Sequence, residues 1–149
     1  MIRLRILFAV LTLLANASRA SAAEDSRQPV ELPGAMKEHM LTNMRDHLRT
    51  IEAMLAALAK GDAKMAAEEA EKRIGMSSLD AHGAAHMAPF MPEPMRQMGT
   101  AMHRAASRFR IVAENAELEP PATAQHSVHG ALSEILATCN ACHAAFRLK

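Results

Sequence analysis

The sequence predicts an all-α fold, an antiparallel up-down-up-down four-helix bundle, and three observations carry that expectation. Aromatic residues fill only 3% of the 149 positions, with four Phe, no Trp and no Tyr, so the chain lacks residues that strands favour. Four segments space their apolar residues three and four apart, the period of a helix with one buried face. No alternation of strand and helix, Gly-rich phosphate loop or repeat of solenoid length interrupts them. Half the residues are hydrophobic and 22% are charged, an ordinary globular composition with enough length for one domain. A net charge of +1 offers no polybasic surface for nucleic acid.

The first 22 residues read as an export signal. Met1 to Arg5 is basic, Ile6 to Ala15 is almost wholly apolar, and Ala20-Ser21-Ala22 supplies the small residues of a cleavage site. The apolar run is too short to span a bilayer stably. Removing Arg3, Arg5 and Arg19 takes the net charge from +1 to −2. The expectation is a periplasmic protein of residues 23–149, with no membrane attachment after the signal is removed.

Residues 23–33, with Pro29 and Pro33, read as a leader. Helix A opens at Gly34 and closes at Lys60-Gly61, and Leu41, Met44, Leu48, Ile51, Leu55 and Leu58 form its predicted seam. Helix B follows Asp62, a fair N-cap, with small apolar positions at Ala63, Ala67 and Ala70 and a larger one at Ile74. Gly83, Pro89, Pro92 and Pro94 mark residues 81–94 as a loop. Helix C starts near Pro94 and carries Met95, Met98, Met102, Ala105, Phe109, Val112 and Ala116 before Pro120-Pro121. Helix D spans about Ala122 to Arg147, with a seam of Val128, Leu132, Ile135, Cys139, Cys142 and Phe146. In an up-down bundle the start of helix A lies beside the end of helix D.

The chemistry concentrates in Cys139-Asn-Ala-Cys142-His143, which holds both cysteines of the chain. Two thiols three residues apart on a helix can add to the vinyl groups of one haem, with the adjacent imidazole held as the iron's proximal ligand. A four-cysteine zinc site is impossible with two cysteines. The competing reading is a redox dithiol or a local disulfide. Such redox motifs sit at the start of a helix after a strand, whereas this one closes a helix.

The run from Cys139 to Arg147, with Phe146 and Arg147 behind the C-x-x-C-H, resembles the end of the cytochrome c′ family (class II c-type cytochromes). The resemblance implies an exported four-helix bundle with one covalent haem c. It implies thioether bonds at Cys139 and Cys142 and proximal ligation by His143. It also implies Phe146 packed on the haem and Arg147 near a propionate, against plain core and a solvated helix-end cation as the alternatives.

The resemblance leaves the sixth position on the iron open, since the family holds either Met or an apolar non-ligand near the start of its first helix. A loose match to the Met-ligated pattern M-x-x-N-x-R falls on Met40, Asn43 and Arg45, and a one-residue shift puts Leu41 there instead. Met40 is the first choice and Met44 the second, with a His or no protein ligand as the alternative. Met at helical spacing is also ordinary core filler.

The expected function is electron transfer with redox proteins as partners, and no catalytic constellation marks an enzyme. The alternative is a five-coordinate haem protein that binds NO or CO. A third reading is a Met/His-rich copper protein built on His82 and His86, followed by Met87, Met91 and Met95. His39 and His47 read as solvated or hydrogen-bonded, and His126 and His129 as polar surface. The resemblance also admits a homodimer through helices A and B.

Overall fold

The computed structural model describes residues 24–149, so the export signal expected over residues 1–22 lies outside the described residues. The chain is predominantly helical. A short strand β1 (Gln28–Val30) precedes helices α1 (Gly34–Ala59) and α2 (Ala63–Arg73). A 3-10 turn at Met76–Ser78, helix α3 (Ala84–Met87) and a second 3-10 turn at Ala88–Phe90 lead to α4 (Glu93–Asn115). A third 3-10 turn at Ala116–Leu118 connects to α5 (Pro121–Ala145), and strand β2 (Phe146–Leu148) ends the fold.

The helix ends follow local chemistry. Gly61, at φ +76°, takes the left-handed turn that stops α1, and its N–H donates to Leu58 O at 3.0 Å. Asp62 then accepts the Met65 N–H at 2.8 Å and caps α2. Helices α1, α4 and α5 instead begin after Pro33, Pro92 and Pro120, with no side-chain cap.

Helix α1 packs on α2, α2 on α4, and α4 on α5. Small residues permit this close approach: Ala66, Ala67 and Ala70 of α2 meet Ala105, Ala106 and Ala113 of α4 in one buried cluster. Phe109 is its largest fully buried side chain, and Ile51, Met54, Val128, Leu132 and Ile135 complete it.

Four expectations need correction. The buried face of α1 runs through Met40, Asn43, His47, Thr50, Met54 and Ala57, a three-four series displaced from the predicted seam. Leu48 and Leu55 of that seam are 72% and 49% exposed. The inner face carries polar residues, which a hydropathy period assigns to water. Residues 81–94 hold helical turns rather than an irregular loop. Residues 23–33 are not a free leader, because β1 pairs in parallel with β2, Gln28 opposite Phe146 and Val30 opposite Leu148, and Val30 is buried. That pairing also ends the last helix at Ala145, so Phe146 and Arg147 belong to a strand.

Candidate functional site

The start of α1, the segment 79–91, the first half of α4 and the chain end enclose a cavity of about 590 Å³. That volume falls within the roughly 300–1,000 Å³ typical of cofactor and ligand pockets. Six methionines line it: Met40 and Met44 from α1, Met87 and Met91 from the connecting segment, Met95 and Met102 from α4. The wall is therefore mostly apolar and polarisable.

Six of the seven residues expected at a haem site reach this cavity. Cys142 and His143, on the last turn of α5, line it with Phe146 and Arg147 of β2. Met40 is buried on the wall, and Met44 lines it half-buried. Cys139, one turn earlier, packs half-buried against the core cluster instead. His143 is exposed at the rim, and its carbonyl accepts a long hydrogen bond of 3.5 Å from Arg27. Arg147 is not a helix-end cation: its Nε lies 3.3 Å from an Asp25 carboxylate oxygen. Phe146 is buried and pairs with Gln28 across the two strands.

Cys139 and Cys142 are both free. Burial pushes both thiols above the ordinary thiol range, and Cys142 raises Cys139 further. A redox dithiol works through a lowered thiol pKa. The environment here runs the other way, which disfavours the dithiol alternative.

The cavity also gathers a group that the sequence did not expose. His47 of α1, His82 of the connecting segment and His103 of α4 are buried together, with ring centres 4.8, 5.4 and 6.0 Å apart. The buried Asn43 donates to His82 O at 3.0 Å and ties that segment to α1. Burial is the main reason the His47 imidazolium is disfavoured, lowering its pKa to about 4, and the neighbouring His82, His103 and His143 add to the effect. Burial likewise lowers His82 and His103. All three rings are therefore neutral at physiological pH.

Two histidine readings change with this finding. His47 is not solvated, and His86 does not pair with His82, because His86 is exposed while His82 turns into the cavity. His103 carried no signal of its own beside the Met95-Met98-Met102 series. A sequence signal did exist in the clustering of Met at helical spacing next to His47, His82 and His103, but only the tertiary fold brings the three together.

Among the described residues, no group of three or more His, Cys, Asp or Glu side chains is placed to hold a metal ion. No helix among them is long and apolar enough to cross a membrane. Neither a protein-family model, nor a curated protein, nor a solved structure matches the chain.

Proposed function

We propose that the chain is an exported c-type cytochrome, an up-down-up-down four-helix bundle that carries one covalent haem and transfers electrons between redox proteins. One observation carries this reading. Cys142, His143, Phe146 and Arg147 of the C-terminal run open onto the same cavity as Met40 and Met44 near the start of the first long helix. The residues fit the group, because a largely apolar chamber of cofactor size is lined by a thiol, an imidazole and thioethers and has a cation at its edge.

In this reading Cys139 and Cys142 anchor the porphyrin, and His143 presents its imidazole to the iron. Met40 takes the sixth position, with Met44 one turn further along as the second choice. When bound, haem supplies a ferric/ferrous couple, and thioether ligation raises its potential. The chain's own contribution is to exclude water. Six methionines and Phe146 wall the chamber, while β1 folds over β2 immediately behind the attachment motif. Arg147 holds positive charge where an acidic edge of the cofactor is expected.

The test is expression of the full chain in cells competent in cytochrome maturation. The expected product is coloured and heavier than the polypeptide by one haem, and C139A/C142A loses both properties. A colourless product at polypeptide mass overturns the proposal. Spectra of Met40→Ala and Met44→Ala then assign the sixth ligand, since only loss of the true ligand converts low-spin iron to high-spin. Rapid CO binding by the reduced wild-type protein would identify the five-coordinate, gas-binding alternative.

A further inference from the structure

We propose that residues 25–31 form a strap across the mouth of the chamber, and that local release of this strap, with the helices intact, sets how fast a ligand enters. The strap reaches the mouth directly. Arg27 is part of the chamber wall, exposed at its rim, and donates to the His143 carbonyl at 3.5 Å. The strand that β1 pairs with supplies Phe146, Arg147 and Leu148 to the same wall. At the chain end the Lys149 N–H donates to Val30 O at 3.0 Å. Lys37 of α1, another wall residue, donates to Lys149 O at 2.9 Å. The N-terminal segment, the chain end and α1 therefore meet at one edge of the opening.

What holds the strap is slight beside what holds the helices. Strand β1 has three residues, and its middle one, Pro29, has no N–H to give to the ladder. A two-stranded sheet is marginal on its own. Among the described elements, β1 makes its substantial contacts with β2 alone. Val30 is its one buried side chain, and it lies outside the main buried cluster. The remaining hold is ionic and open to water. Asp25 faces Arg147 Nε at 3.3 Å and Glu31 faces Lys149 Nζ at 2.7 Å, with all four side chains more than a third exposed. Arg147 Nε has no hydrogen-bond partner, so Asp25 holds it by charge alone. Exposed ion pairs contribute little and are screened by salt. A segment held in this way opens at a far lower free energy than the core.

The wall also defines what passes. Met40 and Phe146 belong to its apolar part, whereas Arg27 and Arg147 share Asp25 at the rim and Lys37 grips the chain end beside them. The class of ligand this suits is an apolar molecule with an anionic edge. The inference goes beyond electron transfer to access, and it rests on the geometry of the chamber rather than on haem. A colourless product with strap-limited entry would sink the haem reading alone, and a haem-loaded product with ungated entry into the haem-free chain would sink the strap alone.

The test uses the full chain purified from cells without cytochrome maturation, kept reduced, and mixed rapidly with anilinonaphthalene sulfonate, an apolar fluorophore with one anionic group. The rate of the fluorescence rise is expected to level off with dye concentration, at the opening rate of the strap. Val30→Ser should raise that plateau and the dissociation rate together by about tenfold or more at unchanged affinity, because a gate alters both directions equally. Its helical circular dichroism and unfolding midpoint should match wild type. Salt at about 0.5 M should speed the wild-type plateau and leave that of Asp25→Asn/Glu31→Gln where it stands. Met95→Glu, in the chamber wall, should abolish the slow rise. Absence of dye binding, a rate that stays proportional to dye concentration, a plateau unmoved by Val30→Ser, or a slow rise that persists in Met95→Glu overturns the proposal. So does a Val30→Ser protein whose unfolding midpoint falls with the change in entry, since the strap would then belong to the cooperative fold.

Discussion

The two halves of this molecule solve opposite problems. Where α2 meets the second half of α4, alanines bring the backbones together around Phe109, and the core is apolar. Where α1 and α4 begin and α5 ends, the same helices enclose about 590 Å³ lined by Met, His and Arg. The first half buries apolar surface and stabilises the fold. The second half leaves contacts unmade and polar nitrogens buried, so it contributes less to stability. The contrast teaches that the closed half holds the helices in register, while the open half leaves a chamber that the same helices do not fill.

The largest expected effect breaks the closed half. Phe109 is fully buried among alanines that cannot grow to fill its place. Phe109→Ala should therefore destabilise the protein by about 3–5 kcal/mol, measured by denaturant unfolding. Because the cavity is elsewhere, haem loading should shift wild type and variant by similar amounts. A loss below about 1 kcal/mol would show that the alanine interface collapses around the gap, and that its packing is less committed than the buried cluster implies.

The next effect belongs to the open half and depends on pH. In the folded, metal-free chain the His47 pKa is depressed from 6.5 to about 4, mainly by burial, with His82, His103 and His143 opposing its charge and Asp46 favouring it. The unfolded chain takes up a proton near pH 6.5 and the folded chain does not. Its contribution is thus fully present above pH 6.5 and declines as pH falls toward 4. The maximum loss from this one group is on the order of 3 kcal/mol. Unfolding midpoints recorded in chelator from pH 7.5 to 4.5 should fall more steeply for wild type than for His47→Gln. Equal slopes would remove the buried neutral imidazole from the account.

The same contrast explains how much could be read from the residues alone. The closed half was legible: small and apolar positions at three-four spacing placed α2, α4 and most of α5, and Ala70, Phe109, Leu132 and Ile135 are buried as that spacing requires. The open half was not. Asn43, His47 and Thr50 face inward on α1, and hydropathy reads such residues as outward, so the predicted seam rotated toward Leu48 and Leu55. Strand β1 is three residues long and contains a proline, too short for any alternation to register. The C-x-x-C-H run was legible because it is local to five residues. The three-histidine cluster was not, because its members lie 35 and 21 positions apart and the methionines beside them recur along much of the chain.

The smallest effect sharpens the comparison most, because it touches a helix end remote from the cavity. Among the four long helices, α2 alone begins with a side-chain cap, the Asp62 carboxylate accepting the Met65 N–H at 2.8 Å. Asp62→Ala leaves that N–H to water and should cost about 1 kcal/mol, while Asp62→Ser or Asp62→Asn should recover most of it. The tight turn at Gly61 is separate from the cap and should persist, so the loss belongs to α2 and not to the end of α1. The absorption spectrum of haem-loaded protein should remain at the wild-type one, since Asp62 lines no part of the cavity. If that spectrum moved together with the unfolding midpoint, the two halves would be one cooperative unit in which a change at one end is felt at the other. The division of labour between a closed scaffold and an open site would then have to be abandoned.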